Sequence, residues 1–197
     1  MSVTLRVSPV VLSGEQVRLE PMSLEHAHGL YNRGRNAADW QYLPRSCFVD
    51  LSDTRQWVEE ALAAPDQLPF VIVEQGKNKV VGSTRYLTIR PAHRSLEIGW
   101  TWLGQEWQRT GVNTEVKLLL LSHALERLGC LRVEFKTDAR NLRSQRALER
   151  IGATREGVLR KHMIVQGDYP RDSVYFSVID SDWPQVKQRL TLLRERS

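Results

Sequence analysis

A short polar loop, residues 108–113, leads directly into a strongly apolar helical segment and is the first candidate for a chemical role. The backbone N–H groups at the start of a helix have no partner inside the helix, and the helix dipole adds partial positive charge there. Gly111 lets the backbone turn tightly against a ligand. Gln108 and Arg109 carry further donors, and Asn113 is a good N-cap residue. The stretch is therefore suited to bind phosphate, although a plain strand–helix turn would also use a glycine.

A second pair of polar residues, Asn141 and Ser144, follows the predicted strand 131–138. Residues three apart share one face of a helix, here near its first turn. Such a pair could bind a ligand at the helix start. A capping asparagine and an ordinary helix serine explain the same pattern.

Other common sites have no counterpart in the sequence. No GxxxxGK[ST] phosphate loop occurs, and the loop 108–113 lacks the further glycines of a dinucleotide fingerprint. We expect no metal site, because no His/Cys/Asp cluster with metal-ligand spacing is seen. The two cysteines, Cys47 and Cys130, are too few for a disulfide framework, and Cys130 is expected in the core.

The 197 residues carry a formal net charge of +5, with a pI of about 9.5. This balance favours anionic partners such as nucleic acid or a phosphorylated cofactor, but a solvated basic surface would produce it as well. The N-terminus shows no signal-peptide pattern, and the four-leucine run at 118–121 is too short to span a bilayer. We therefore expect a cytoplasmic protein that does not bind membranes.

The hydrophobic pattern predicts a mixture of strands and helices. Strands are predicted at 17–22, 69–75, 80–89, 95–103, 131–138, 158–165 and 172–179, and helices from Ser23, at 52–64, 113–128, 141–152 and 182–194. Hairpins are expected around Gly76 and at 166–171, and Gly99 suggests a bulge within its strand. Hairpins combined with crossovers indicate an α/β fold of the α+β type, not a doubly wound parallel sheet.

An irregular segment, residues 33–50, is rich in Asn, Arg and aromatic residues. Its Trp40, Tyr42 and Phe48 could line a binding site. A lid that covers a hydrophobic core is the alternative.

In this order, the two polar features resemble the GNAT acyl-CoA N-acyltransferases, and in particular their RimJ/RimL-like (ribosomal-protein-alanine N-acetyltransferase-like) branch. Gln108-Arg109-Thr110-Gly111-Val112-Asn113 is similar to the pyrophosphate loop of that family, and Asn141-Leu-Arg-Ser144 to its second cofactor motif. The REGVLR segment at 155–160 and the acidic-Trp ending at 180–183 extend the resemblance, which covers residues 16–183. Asn113 departs from the Gly or Ala that the family usually has there.

The resemblance implies the GNAT fold: a mixed, mostly antiparallel sheet of about seven strands, flanked by helices and splayed between strands four (95–103) and five (131–138). It implies one acetyltransferase domain over residues 1–197, with 1–15 as an N-terminal extension. It also implies acetyl-CoA as the acetyl donor, bound by Trp102, Leu103, Gln108, Arg109, Thr110, Gly111, Val112, Asn113, Asn141, Arg143 and Ser144.

The implied reaction is direct acetyl transfer to an amine. Backbone near Trp102 and Leu103 would donate to the thioester carbonyl, and Asn141 would bind the pantetheine arm or order a water. Ser144 would protonate the departing thiolate, because Leu148 stands where many family members have a tyrosine. Glu97 is the candidate general base, with Glu134 in reserve; a solvated or salt-bridged strand glutamate is the alternative for both.

Three functions stay open from the sequence. The acceptor could be a protein N-terminal α-amine or a small-molecule amine, and a non-catalytic acyl-CoA-binding module is the third possibility. Direct nucleic-acid binding is not expected, because the basic patch of Arg140, Arg143 and Arg146 is explained by the phosphates of CoA. Both a monomer and a homodimer are compatible with the sequence.

Overall fold

A computed structural model describes residues 5–196 and contains one open eight-stranded sheet. The strands are β1 (Leu12–Ser13), β2 (Val17–Pro21), β3 (Leu68–Glu74), β4 (Lys79–Arg90), β5 (Ser95–Leu103), β6 (Arg132–Asp138), β7 (Thr154–Val165) and β8 (Tyr169–Ile179). The helices are α1 (Ala27–Arg33), α2 (Leu51–Ala63), α3 (Val112–Ser122), α4 (Leu142–Ile151) and α5 (Trp183–Glu195). The seven predicted strands are confirmed, and the two-residue β1 is the addition.

The sheet has the order β1-β2-β3-β4-β5-β6-β8-β7, and only β5 and β6 run parallel. These two strands pair at three positions, Ser95–Glu97 with Arg132–Glu134. Beyond Glu97 and Glu134 they separate, although both strands continue. The sheet is therefore splayed between the predicted fourth and fifth strands, as expected.

A β-bulge lies in β5 at the start of this separation. Ser83 of β4 is opposite Trp102, but Arg85 is opposite Gly99, so two residues of β5 face the single Thr84. Trp100 has a positive φ of 51°, which is the local distortion that the extra residue requires. The bulge predicted from Gly99 is thus found one residue further along.

Two hydrophobic clusters cover opposite faces of the sheet. Phe70 and Ile72 of β3 belong to the larger cluster with α3 and α5, whereas Val71 and Val73 belong to the smaller cluster with α1 and α2. Since successive side chains of a strand point to opposite faces, each cluster occupies its own face. Cys130 is buried in the larger cluster, as predicted.

The aromatic segment 33–50 divides between the two predicted roles. Trp40 and Phe48 are buried in the smaller cluster, where their ring centroids lie 4.8 Å apart, and Trp40 also packs on Trp102. Tyr42 is only partly buried and faces the cavity described below. Two of the three aromatic side chains are therefore core, and the third borders the cavity.

Two predicted helix caps are wrong. Asp50, not Ser52, caps α2, because its carboxylate accepts the Asp53 N–H at 2.8 Å. Gly111, not Asn113, occupies the N-cap of α3, since Gly111 already has helical backbone angles and brings the chain into the helix earlier. Ser23 is confirmed as a cap, but of a short 3-10 helix, Leu24–His26, that leads into α1; the Ser23 N–H donates to His26 Nδ1 at 3.0 Å.

Glu115 of α3 binds the chain segment that leads into β2. Its fully buried carboxylate accepts the backbone N–H groups of Glu15, Gln16 and Val17 at 2.8–2.9 Å. Leu5 is buried in the larger core, so the predicted extension 1–15 packs on the domain where it is described. Residues 1–4 of that extension lie outside the described residues.

Candidate active site

A cleft of about 1180 Å³ opens where β5 and β6 separate. It is bounded by these two strands, the N-terminal parts of α3 and α4, and the segment that contains Tyr42. The predicted site residues that line it are Glu97, Trp102, Leu103, Gln108, Arg109, Thr110, Gly111, Asn113, Asn141, Arg143 and Ser144. Val112 does not line it, because its side chain is buried in the larger core. Residues spread over nearly fifty positions of sequence thus meet in one cavity.

The start of α3 presents backbone N–H groups to the cleft. Within the described chain, the N–H groups of Arg109, Gly111 and Asn113 have no acceptor. Thr110 stabilises the turn, because its hydroxyl donates to the Trp107 carbonyl at 2.7 Å and lies 3.3 Å from the Val112 nitrogen. Adjacent unpaired N–H groups at a helix start form an anion site.

The side chain of Gln108, a predicted anion donor, has protein partners on both of its polar atoms. Its side-chain nitrogen donates to Asp39 at 2.6 Å and to the Leu103 carbonyl at 2.8 Å. Its side-chain oxygen accepts from Arg143 at 3.0 Å. Gln108 therefore connects the end of β5, the α3 loop and α4.

Asn141 is the N-cap of α4, as predicted, because its side-chain oxygen accepts the Ser144 N–H at 3.0 Å. The helix ends at Gly152 in the left-handed conformation, with φ of 93°. The Ser144 hydroxyl lines the cleft and has no partner among the described residues. The cap therefore fixes the helix start from which that hydroxyl projects.

We expect Asn141→Ala to lower the free energy of unfolding by about 1 kcal/mol, because the N–H of Ser144 loses its acceptor. Urea denaturation followed by circular dichroism measures the change. Asn141→Asp is the matched control, since its carboxylate still accepts this bond and should retain most of the stability. Equal stability of the alanine variant and the native chain would show that the cap contributes little.

Glu97, the candidate base, has a buried carboxylate with one bonded and one unbonded oxygen among the described residues. Its side chain is 4% exposed, and one carboxylate oxygen accepts from Lys136 at 3.2 Å and lies 3.4 Å from the Thr88 hydroxyl. The other oxygen has no donor among the described residues and lies beside Gly99, where a Cβ would come within 3.1 Å. Burial raises the pKa of Glu97, and the nearby Lys136 opposes that rise.

Glu134, the reserve base, is less suited to this role. Its carboxylate accepts from Arg132 at 2.9 Å and from Arg90 at 3.2 Å. Two guanidinium partners occupy the oxygens that would accept a proton. Salt bridging, the alternative stated for both glutamates, is found at both: Glu97 pairs with Lys136 through one oxygen, and Glu134 pairs with two arginines.

Several residues of the cleft were not predicted. They are Lys117, Lys136, Arg171 and Thr101, which come from four separate segments. Of these, only Lys136 could have been inferred from the sequence. It is two residues after Glu134, and strand alternation places both side chains on one face of the sheet. The others depend on contacts between distant segments that strand alternation does not reveal.

The segment 33–50 is held over one end of the cleft by the β7–β8 turn. The Gln166 side-chain nitrogen lies within 2.6–2.8 Å of the carbonyl oxygens of Trp40, Leu43 and Arg45. The guanidinium of Arg140 lies 3.6 Å from the ring centroid of Tyr169 in the same region. The segment 33–50 therefore covers this end of the cavity and is held there by hydrogen bonds to Gln166.

Neither a metal cluster nor a membrane-spanning helix is found in residues 5–196. No group of three His, Cys, Asp or Glu side chains there could hold a metal ion. The helices of the same part are too short or too polar to cross a bilayer.

Known proteins resemble this chain in both sequence and fold. Residues 16–154 match the family described as Acetyltransferase (GNAT) domain. A Bacillus subtilis protein named "Putative ribosomal N-acetyltransferase YdaF" is 33% identical over 95 residues, which is 48% of this chain. The chain spans 51% of that relative's length, and 60% of the length of a second relative from the same bacterium.

Solved structures agree over nearly the whole chain. A GCN5-related N-acetyltransferase from Brucella melitensis superimposes with a TM-score of 0.92 at 29% identity, covering 98% of this chain and 88% of that one. Mycobacterium smegmatis RimJ, solved with CoA-disulfide, gives 0.79 at 22% identity, covering 93% and 94%, and shows the shared fold. The family match covers 139 of the 197 residues, and the two motifs follow the splayed strands β5 and β6. The chain therefore belongs to the GNAT N-acetyltransferases, enzymes that take their acetyl group from acetyl-CoA.

Proposed function

We propose that this enzyme transfers acetyl from acetyl-CoA directly to a primary amine, and that the amine is the N-terminal α-amine of a protein. The observation that carries the proposal is the single cleft that holds both the unpaired N–H groups of α3 and the free carboxylate oxygen of Glu97. Its volume of about 1180 Å³ exceeds the roughly 300–1,000 Å³ typical of one small ligand. Two substrates therefore have room to bind together.

The chain's residues fit the donor. The N–H groups of Arg109, Gly111 and Asn113 would hold the pyrophosphate, and Arg143, Arg146 and Arg150 supply positive charge along the same cleft. Trp102 and Leu103 of β5 stay the proposed backbone donors to the thioester carbonyl. When bound, acetyl-CoA supplies an acetyl group that is already activated as a thioester.

The transfer needs two proton movements, and each has a candidate residue. Glu97 would accept the proton of the attacking amine through its free oxygen. Burial raises the pKa of Glu97, which makes its carboxylate a stronger base. Ser144 would give a proton to the departing thiolate, since its hydroxyl has no other partner in the described chain. An α-amine has a pKa near 8 and loses its proton more easily than a lysine side chain, whose pKa is near 10.4, and the α-amine is therefore preferred.

A small-molecule amine is the second candidate acceptor, and one observation favours it. Residues 33–50 cover one end of the cleft and are hydrogen-bonded to Gln166 of the β7–β8 turn. This limits the space for a folded protein at that end of the cleft. A flexible N-terminal peptide could still enter as an extended chain. The acceptor therefore has to be found by experiment.

Acetyl-CoA labelled in its acetyl group identifies the acceptor when it is added with the enzyme to a cell extract. We expect label in one or a few proteins, at their N-termini, and much less with Ser144→Ala. Ser181→Ala, an exposed turn serine, is the matched control and should label normally. Label only in small molecules would overturn the protein acceptor and keep the reaction. Bound acetyl-CoA without enzyme-dependent label would support a non-catalytic binding module.

The pH profile separates Glu97 from other candidate bases. Lys136 lowers the pKa of Glu97 and Glu134 raises it, so their removal should act in opposite directions. We expect Lys136→Met to move the acid limb of kcat/KM to higher pH and Glu134→Gln to move it to lower pH. Steady-state rates from pH 5 to 9 measure both shifts. Limbs that stay in place in both variants would exclude Glu97 as the titrating group.

A further inference from the structure

Lys117 is a buried cation in the cleft that the proposed acetyl transfer does not use. It lies on α3, four residues after Asn113, so both project from one face of the helix. The residue is 7% exposed, and it lines the cleft with Thr101 and Phe135. Lys117 is therefore one helical turn deeper in the cleft than the proposed phosphate site.

The Lys117 ammonium has almost no polar partners. It donates to the Thr101 hydroxyl at 3.0 Å and lies 5.6 Å from the Phe135 ring centroid. It forms no ion pair with any described residue. The Thr101 hydroxyl that it contacts is also bonded to the Thr84 hydroxyl at 2.8 Å. An ammonium has three donors, so two are left without a protein acceptor.

Burial without a counter-charge is costly for a cation. It lowers the pKa of Lys117 to about 7, with no acidic group to oppose the effect. Lysines are almost never fully buried unless paired. Because the side chain faces a cavity, a ligand is the natural source of the missing negative charge.

The position of Lys117 indicates which part of a ligand would reach it. Its contact, Thr101, is in the bulge of β5, between Glu97 and the proposed carbonyl donors Trp102 and Leu103. A donor that is held at its pyrophosphate by the start of α3 and that reaches Glu97 must bring its acyl group past this bulge. The group beside Lys117 is then the acyl chain.

We propose that Lys117 forms a subsite for acyl-CoA donors whose acyl chain ends in a carboxylate, such as malonyl-CoA or succinyl-CoA, in addition to acetyl-CoA. This rests on the proposed function, because it requires that the cleft hold the acyl-CoA. The carboxylate accepts from the Lys117 ammonium and takes no part in the chemistry. The amine nitrogen bonds to the acyl carbon, the C–S bond breaks, the amine proton goes to Glu97, and the thiolate is protonated as before.

Isothermal titration calorimetry of the full chain tests the subsite without knowledge of the acceptor. The dissociation constants of succinyl-CoA and butyryl-CoA are compared, because the two chains have four carbons and differ in the terminal charge. Acetyl-CoA and malonyl-CoA are measured beside them. Lys117→Met is the test variant, and Lys187→Met, an exposed lysine on α5, is its matched control. Lys117→Met also removes a buried charge, so we expect it to fold and to raise Tm.

We expect the native chain to bind succinyl-CoA or malonyl-CoA at least tenfold more tightly than butyryl-CoA. In Lys117→Met this preference should disappear, with the acetyl-CoA constant changed less than threefold, and Lys187→Met should keep it. Equal binding of charged and neutral chains by the native protein would overturn the subsite, and so would a preference that survives in Lys117→Met. Absence of binding by every acyl-CoA would overturn the proposed function and the subsite with it.

Discussion

Substitution of Glu97 by glutamine is expected to lower kcat by about a hundredfold or more at pH 7. The change keeps the size and the polar atoms of the side chain but removes its ability to accept a proton. The amine would then have to lose its proton to water before it attacks. Release of the CoA thiol with a saturating acceptor measures the rate.

Binding should hardly respond to the same change. Because Glu97 is placed at the acceptor proton and not at the donor, we expect the dissociation constant of acetyl-CoA to change less than threefold in Glu97→Gln. Glu134→Gln is the matched control, since Glu134 stands beside Glu97 in register but is bound by two arginines. A kcat within threefold of the native value in Glu97→Gln would refute the assignment of Glu97 as the base.

Glu115→Ala should lower the free energy of unfolding by more than Asn141→Ala does. Three N–H groups near the start of β2 would lose this carboxylate as their acceptor, and Gly14 packs so closely on it that a Cβ there would lie within 2.6–2.9 Å. We expect a loss of about 3–5 kcal/mol and a fall in Tm of roughly 10 °C. Thermal unfolding followed by circular dichroism measures it.

Glu115→Gln separates the two causes of that loss. The amide keeps one acceptor oxygen, so it should lose about half as much stability as alanine if the accepted N–H bonds are the source. Val112→Ala, a buried change in the same helix, reports the cost of simple loss of volume. If Glu115→Ala costs no more than Val112→Ala, the three bonds do not anchor the N-terminal part of the chain.

The sequence reveals the features that depend on local chemistry. Asn141 caps α4 and Gly152 ends it, and a hairpin turns at Gly76, because each conformation is decided by residues within a few positions. The loop before α3 was recognised from its glycine, but the cap itself was placed two residues late. Gly111 already has helical angles there, and no local pattern distinguishes the two starts.

The features that were missed depend on long-range contacts. The carbonyl groups that Gln166 binds are 121–126 residues away along the chain, and Glu115 binds amides about a hundred residues away. For Trp40 and Phe48 the sequence leaves a binding site and a core both open, because aromatic composition alone cannot separate the two. Lys117 lies in an apolar helix whose pattern gives no sign that one face borders a cavity.

Amide hydrogen exchange with and without CoA tests the central claim most directly, because it reports on the individual N–H groups proposed to bind the pyrophosphate. We expect CoA to slow exchange at Arg109, Gly111 and Asn113, and to leave the β3–β4 turn at 75–78, which does not line the cleft, unchanged. Protection elsewhere with none at these three amides would contradict the donor site. Slowed exchange confined to the α3 loop and the start of α4 would establish it.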